Sequence, residues 1–152
     1  MKNQYFSVEF KRLTISCQSA VSFDSFIFIG EQINMFYTYI IRCADNTLYT
    51  GITTDPVRRF TEHITKGKNC AKYTLSHDAV KMEALWSCED RVSASRLEFK
   101  IKKMPKACKE KIICSPEKLY EYIYLEDGNI IYKFEKALLE KVNEQKSKRQ
   151  NN

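Results

Sequence analysis

The sequence predicts an α/β fold: a small, mainly antiparallel three-stranded sheet flanked by helices, followed by a mostly helical C-terminal extension. Residues 36–43 (FYTYIIRC) and 48–52 (LYTGI) are rich in β-branched and aromatic residues, and the intervening ADNT favours a turn. A third apolar run, AVKMEALWS at 79–87, supplies another strand. Helix-start signals precede and follow that run, which gives the order strand, strand, helix, strand, helix, helix.

The first helix is predicted from Pro56 to about Thr65. Asp55 stands where a helix N-cap belongs, and proline is favoured at the first helical position. After this helix, the sequence KGKNCAKYTLSHD at 66–78 predicts an irregular, lysine-containing loop.

The second helix is predicted to begin at Asp90 or Ser93, either of which can cap it. Its apolar stripe, at spacings of four and three, consists of Leu97, Ile101 and Met104. Pro105 is expected to end or kink this helix, and KACKEKII at 106–113 continues as helix.

The length of 152 residues suits one domain with a real core. We divide it into a poorly defined N-terminal segment (1–34), a central domain (35–114) and a C-terminal extension (115–152). The N-terminal segment is either an extra strand or arm, or lies upstream of a true start at Met35.

The C-terminal extension has two readings. Ser115-Pro116 is typical of a helix start, whereas YEYIYLEDGNIIYKF alternates around Asp-Gly as a hairpin does. The residues from 131 onward predict a final helix. The apolar face of that helix is predicted to contain Phe134, Leu138 and Val142.

The net charge of +6 is concentrated in the middle of the chain, where residues 36–117 carry 15 basic and 10 acidic side chains. Within it, residues 96–111 hold seven basic residues against two acidic ones. Such an excess attracts phosphate backbones. The alternative is a solvated helix face, which is the commoner reason for a run of charges.

The six cysteines show neither a Cys-x-x-Cys pair nor a histidine at metal-ligand spacing, so no zinc site is predicted. Scattered cysteines without a signal-peptide pattern are typical of a reducing cytoplasm. The longest apolar run near the N-terminus, FIFIG, is too short to span a membrane. We therefore expect a cytoplasmic protein.

Two polar residues of the first helix, Arg59 and His63, lie one turn apart. Val57, Phe60 and Ile64 share one face, and at about 100° per residue the polar pair points away from that core stripe. An arginine that can hold two phosphoryl oxygens, beside a histidine that can move a proton, suits a phosphate site. The alternative is that both side chains are solvent-exposed and have no functional role.

The wider pattern resembles the GIY-YIG nuclease superfamily. Tyr39 is followed after nine residues by Tyr49-Thr50-Gly51, with Arg59, His63 and a later helical Glu98 at matching positions. The strings YIIRCADNTLYTGIT (39–53), AKYT (71–74) and IKK (101–103) resemble the compact single-domain bacterial branch. The first motif reads Tyr-Thr-Tyr, and the late asparagine of better-known members has no match before residue 114.

The resemblance implies a GIY-YIG-like fold and a metal-dependent endonuclease that cuts DNA in repair or recombination. It implies a catalytic set of Tyr39, Tyr49, Arg59, His63 and Glu98. In the favoured assignment Tyr49 activates water with His63, Arg59 clamps the phosphate, and Tyr39 positions it. The sequence leaves open which of the two tyrosines takes the proton. Glu98 binds Mg²⁺ or Mn²⁺, hard ions suited to carboxylate and phosphate oxygens.

The expected partner is DNA, branched or damaged, and not a membrane. Its expected contacts are Arg58, Lys72, Tyr73, Lys102 and Lys103. Two other functions stay open at this point. One is a nucleic-acid-binding module of the same fold without turnover, and the other is a protein-interaction adaptor that uses the C-terminal helix.

Overall fold

The fold was obtained as a computed structural model, which describes residues 34–124 and 130–150. The strands in chain order are β1 (Phe36–Cys43), β2 (Leu48–Thr53), β3 (Ala79–Cys88) and β4 (Lys133–Phe134). The helices are α1 (Pro56–Thr65), α2 (Lys72–Ser76), α3 (Arg91–Lys103), α4 (Lys106–Cys114), α5 (Leu119–Tyr122) and α6 (Lys136–Gln150), with a 3-10 turn at Pro116–Lys118 before α5.

The sheet is antiparallel and has the strand order β2-β1-β3-β4. The antiparallel α/β class is confirmed, but the predicted strand number of three is wrong. The fourth strand places Phe134 opposite Trp86, and the N–H of Glu135 donates to the carbonyl of Leu85 at 2.9 Å. A two-residue strand is too short to show alternation, so Phe134 was assigned to the final helix, which in fact begins at Lys136.

Each face of the sheet is covered by a different set of helices. One face packs against α3, α4 and α5, and its buried residues include Ile40, Trp86, Leu97, Ile101 and Ile112. The other face packs against α1 and α6, and its buried residues include Tyr39, Ile41, Phe60, Leu85 and Val142. Successive residues of a strand point to opposite faces, which is why Tyr39 and Ile40 belong to different cores.

The predicted helix starts are confirmed. The Asp55 side chain accepts a hydrogen bond from the backbone N–H of Arg58 at 3.0 Å, and Pro56 opens α1. In α3 the cap is Asp90, which accepts from the N–H of Ser93 at 2.8 Å. The helix ends at Lys103 before Pro105, and α4 begins afresh behind the proline.

The segment 66–78 is not wholly irregular as predicted, because it contains the short helix α2. Thr74 is the fully buried residue of this helix, and it packs against α1. The short helix brings the hydroxyl of Thr74 to His63. The two residues are eleven positions apart in the sequence, and no local sequence pattern predicts their contact.

The described part of the C-terminal extension completes the core. Leu119, Ile123, Tyr132 and Val142 are all buried. The side-chain amide of Asn143 donates to the carbonyl of Met82 and accepts from its N–H, at 2.9 and 3.0 Å. The Asp-Gly pair of the alternative hairpin, like residues 1–33, lies outside the described residues. Within the described ranges, no helix has the length and apolarity needed to cross a membrane.

Candidate active site

The centre of the candidate site is the phenol group of Tyr39 on β1. Its Oη lies 2.9 Å from Nε2 of His63, with which it shares a hydrogen bond. The Nε–H of Arg59 donates to the same oxygen at 3.3 Å. The structure therefore joins three of the predicted catalytic residues into one hydrogen-bonded chain.

Gly51 makes this position of Tyr39 available. The two residues are paired across the β1–β2 ladder. A Cβ atom built on Gly51 would lie 2.5 Å from Oη and 2.7 Å from Cζ of Tyr39. The glycine is needed for space and not for an unusual backbone, since the described residues include no glycine with positive φ.

His63 is fully buried, although the helical periodicity placed it away from the core stripe. The expectation that this side of α1 lies away from the core is corrected for His63, because α2 packs against it through Thr74. Nδ1 of His63 lies 2.7 Å from Oγ1 of Thr74. Burial, and then the positive charge of Arg59, lower the pKa of His63 to about 4. The imidazole is therefore neutral at pH 7 and able to accept a proton.

Arg59 connects the buried phenol with the surface. Its Nη1 donates to the carbonyl of Asn69 at 2.7 Å and to Glu62 Oε2 at 2.8 Å. Burial works to lower the pKa of Arg59, but hydrogen bonds to Tyr39 and Glu62 outweigh it and raise the pKa. The guanidinium stays charged while about a fifth of its side chain remains exposed.

Arg59 also lines a cavity of about 380 Å³ at the open edge of β2. Two more arginines border this cavity, Arg58 from α1 and Arg91 from the start of α3. The rest of the wall consists of Phe36, Ile52, Thr53 and Thr54. A cleft with three guanidinium groups from two helices suits phosphate oxygens.

Tyr49 is the half-buried tyrosine of the pair, whereas Tyr39 is fully buried. Its ring centroid lies 6.2 Å from that of Tyr39 and 5.2 Å from that of His63, edge-on to the imidazole. On its other side the ring stacks on Tyr73 at 5.8 Å. The hydrogen bond of His63 thus goes to Tyr39 and not to Tyr49, the residue with which the sequence had paired it.

Glu98 lies on α3, with about a fifth of its side chain exposed, and accepts from Nζ of Lys102 at 2.8 Å. The negative charge of Glu98 nevertheless affects the pKa of Tyr39. Burial is the main cause that raises the pKa of Tyr39, and the charges of Tyr49 and Glu98 act in the same direction. The hydrogen bond from Arg59 opposes this rise.

Comparison with known proteins places this arrangement in a family. The family model described as the GIY-YIG catalytic domain matches residues 35–112, which contain every residue of the site. The chain belongs to the GIY-YIG family. Tyr39, Tyr49 and Gly51 lie within the matched range. Their assignment to the signature tyrosines and the closing glycine of the family motifs stays a prediction.

Relatives within the family are small proteins of bacteria. The UPF0213 protein FN1575 of Fusobacterium nucleatum is 45% identical over 83 residues, covering 54% of this chain and 80% of the relative. The UPF0213 protein YhbQ of Salmonella typhimurium is 42% identical over 82 residues, with the same two shares. The solution structure of the UPF0213 protein BH0048 from Bacillus halodurans is 34% identical, covers 58% of this chain and 92% of its own, and gives a TM-score of 0.34.

The residues present fit a weakly held divalent ion of the kind expected for a GIY-YIG nuclease. Among the described residues there is no group of three or more His, Cys, Asp or Glu side chains that could hold a metal. A single carboxylate, Glu98, suits Mg²⁺, which keeps several waters and is commonly bound by one or two carboxylates together with substrate phosphates.

The predicted nucleic-acid contacts are not all in one place. Arg58 borders the cavity, about half exposed, and is paired with Glu62. Lys72 and Tyr73 are exposed on α2, next to Tyr49 through the Tyr73 ring. The other two lie at the far end of α3 from the cavity: Lys102 is bonded to Glu98, and Lys103 lies over the Phe99 ring at 4.2 Å.

Two residues of the site escaped the sequence analysis. Thr74 was quoted only as part of the AKYT string, and its buried hydroxyl depends on a tertiary contact. Arg91 was not recognised as a site residue because it is the first residue of α3 and lies outside the basic run at 96–111. The available signal for Arg91 was its place directly after the Asp90 cap, since a residue there lies at the start of the helix.

Proposed function

We propose that this protein is an endonuclease that hydrolyses phosphodiester bonds in DNA with Mg²⁺ or Mn²⁺. The observation that carries the proposal is the hydrogen-bonded chain from Arg59 through Tyr39 to His63, beside a cavity with three arginines. Hydrolysis of a phosphodiester needs a proton acceptor for water and a cation for the developing charge. Here Tyr39 and His63 can accept the proton, and Arg59 supplies the positive charge within hydrogen-bond distance of Tyr39.

The hydrogen bonds support a role for Tyr39 as the group that takes the proton from the attacking water. A phenol is a poor base unless its own proton can leave, and neutral His63 lies within hydrogen-bond distance to receive it. Tyr49, half-buried at the surface, then positions the water or phosphate. This assignment exchanges the roles that the sequence suggested for the two tyrosines.

The pKa directions limit how this proton can move. The pKa of Tyr39 is raised and that of His63 is lowered to about 4, so a separately formed tyrosinate and imidazolium would be costly. Proton transfer therefore accompanies attack on phosphorus. Arg59 stabilises the negative charge at both places, since its Nε–H donates to Tyr39 and the residue also lines the cavity.

Substrate binding is assigned to the arginine cavity, and metal binding to Glu98. Arg58 and Arg91 hold phosphates on either side of the reacting one, together with the exposed Lys72 and Tyr73. A divalent ion at Glu98 would add positive charge to the phosphoryl oxygens and the leaving oxygen. Glu98 would have to exchange its bond with Lys102 for that ion.

One observation favours a nucleic-acid-binding module without turnover as the second candidate. Tyr39 and His63 are both fully buried, so the proton-accepting pair does not face solvent in this structure. Catalysis then requires side chains around the phenol oxygen, Arg59 among them, to shift when substrate binds. A binding module needs no such shift.

A cleavage assay on end-labelled single-stranded, duplex, branched and damaged DNA separates the two. Each substrate is incubated with Mg²⁺, Mn²⁺ or chelator, and salt-dependent binding is measured in parallel. We expect metal-dependent cleavage of at least one substrate and its loss in Glu98→Gln. Lys102→Gln is the matched control, because it keeps the Glu98 carboxylate and removes the ammonium group bonded to it. This variant should still cleave, even where its DNA affinity is reduced. Binding without cleavage of every substrate would establish the binding module instead.

A further inference from the structure

Thr74 lies beneath the imidazole of His63, in a part of the site closed to solvent. Both residues are fully buried, and Oγ1 of Thr74 is 2.7 Å from Nδ1 of His63. A neutral imidazole has one N–H donor and one bare acceptor nitrogen, and the positions of the heavy atoms alone do not say which is which. In a buried network the assignment follows from giving every hydrogen an acceptor.

The Thr74 hydroxyl has one hydrogen to give. Its oxygen is 3.2 Å from the carbonyl of Ala71, which can only accept. If the hydroxyl donates there, its lone pairs are left for His63, and Nδ1 must carry the hydrogen. The thiol of Cys70 also lies 3.2 Å from this oxygen and can donate to it, which is compatible with the same arrangement.

The hydrogen bonds on the Tyr39 side of His63 require the same tautomer. The guanidinium of Arg59 is always a donor, so its Nε–H points at Oη of Tyr39. The hydrogen of the buried phenol then needs an acceptor, and within the described residues the acceptor in reach is Nε2 of His63 at 2.9 Å. If Nε2 carried a hydrogen, two donors would face Oη and the phenol hydrogen would be unpaired. One tautomer satisfies all groups, with the hydrogen on Nδ1.

We propose that Thr74 is a positioning residue, which holds the hydrogen of His63 on Nδ1 and so keeps Nε2 bare to accept the proton of Tyr39. The order of donors runs from Arg59 to Tyr39, from Tyr39 to His63, from His63 to Thr74 and from Thr74 to Ala71. The role of Thr74 in the reaction rests on the proposed nuclease function, but the tautomer itself does not.

Nitrogen NMR of the full chain tests the tautomer directly. The sequence contains two histidines, so a ¹⁵N-labelled His77→Gln background leaves His63 as the single imidazole. In this background we expect a protonated Nδ1 and a bare Nε2 at neutral pH. Thr74→Val should reduce the Nδ1–H population, whereas Thr74→Ser, which keeps the hydroxyl, should preserve it. An Nε2–H tautomer in the background protein, or an unchanged spectrum in Thr74→Val, would overturn the proposal.

Cleavage kinetics test whether the tautomer matters to the reaction. Thr74→Val should lower the single-turnover rate by about a hundredfold, the lower range for loss of general-base catalysis, with unchanged DNA affinity and with recovery in Thr74→Ser. Thr65→Val is the matched control, because it removes an exposed hydroxyl that bonds the Thr61 carbonyl. A changed tautomer with an unchanged rate would refute the positioning role. Absence of cleavage by the wild type refutes the nuclease function and leaves the NMR result to decide the tautomer.

Discussion

The phenol oxygen of Tyr39 occupies the space in which a side chain at Gly51 would lie. The two residues face each other across β1 and β2, and a Cβ at position 51 would be 2.5 Å from that oxygen. A real Cβ does not approach so closely, so any side chain at position 51 must push the ring aside. Gly51 is thus a condition for the bond between Tyr39 and His63.

Gly51→Ala is therefore expected to displace Tyr39, to abolish cleavage and to lower the free energy of unfolding by about 1–3 kcal/mol, the usual range for overpacking. Chemical denaturation and the cleavage assay measure the two effects. Gly67→Ala is the matched control, since a Cβ there would meet only Oγ1 of Thr65 at an ordinary 3.5 Å. Wild-type behaviour of Gly51→Ala would contradict the close approach.

The two tyrosines can be separated by removing one hydroxyl at a time. Tyr39→Phe deletes the group bonded to His63, so we expect the single-turnover rate to fall by about a hundredfold or more. Tyr49→Phe keeps the ring that packs against His63 and Tyr73, so its single-turnover rate should fall less than that of Tyr39→Phe. A larger loss for Tyr49→Phe would return the proton-accepting role to Tyr49.

Arg59→Lys should reduce turnover far more than DNA binding. Lysine keeps the positive charge but cannot hold Tyr39 and a phosphate oxygen with one planar fork. Loss of one transition-state donor costs about 3 kcal/mol, on the order of a hundredfold in rate. The comparison is Arg58→Lys, whose side chain is about half exposed and makes no bond to Tyr39. Equal losses of rate and affinity in Arg59→Lys would make it a ground-state binding residue instead.

The local signals of the sequence were sufficient for the elements that carry the site. Asp55 and Pro56 predicted the start of α1, and the Asp-Asn turn predicted the pairing of β1 with β2. The burial of His63 was missed because helical periodicity reports only the stripe of Val57, Phe60 and Ile64. What covers His63 is α2, and a helix of five residues in a polar segment has no periodicity to detect.

The fourth strand was missed for a related reason. Two residues cannot alternate, and β4 forms because Phe134 covers the edge of the sheet beside Trp86. The site residues Thr74 and Arg91 depend in the same way on neighbours that are distant in sequence. Family resemblance supplied the candidate catalytic residues, whereas the hydrogen-bond partners of each residue could be seen only in the fold.

The stability of the protein should depend on pH through His63. Its pKa is about 4 in the folded protein, against about 6.5 in an unfolded chain. Between these values the unfolded state binds more protons, so the free energy of unfolding falls as the pH decreases from 6.5 and levels off below about 4. The full loss is about 3 kcal/mol.

Urea denaturation at several pH values, in the His77→Gln background, measures this dependence. The matched variant His63→Gln lacks the titrating group and should show a smaller loss of stability between pH 6.5 and 5.5, a range above the pKa of ordinary Asp and Glu side chains. Parallel curves for the two proteins would mean that folding does not lower the pKa of His63.

Val142→Ala tests whether α6 belongs to the core. Val142 is 1% exposed between β3 and α1, and loss of its buried methyl groups should lower the free energy of unfolding by about 2 kcal/mol. Its neighbour Lys141 is exposed, so Lys141→Ala should change stability by less than about 0.5 kcal/mol. Equal stabilities would support the division at residue 114 into a self-sufficient domain and an extension.

The position of α6 has a consequence for protein synthesis. A ribosome delivers β1, β2 and α1 first and α6 last, yet α6 packs against both α1 and β3. Asn143 also binds both backbone groups of Met82 in the middle of β3. A nascent chain therefore carries Tyr39, Arg59 and His63 long before the helix that supports them emerges. We therefore expect a chain that ends before α6 to contain the candidate site residues without the packing of α6 against α1 and β3.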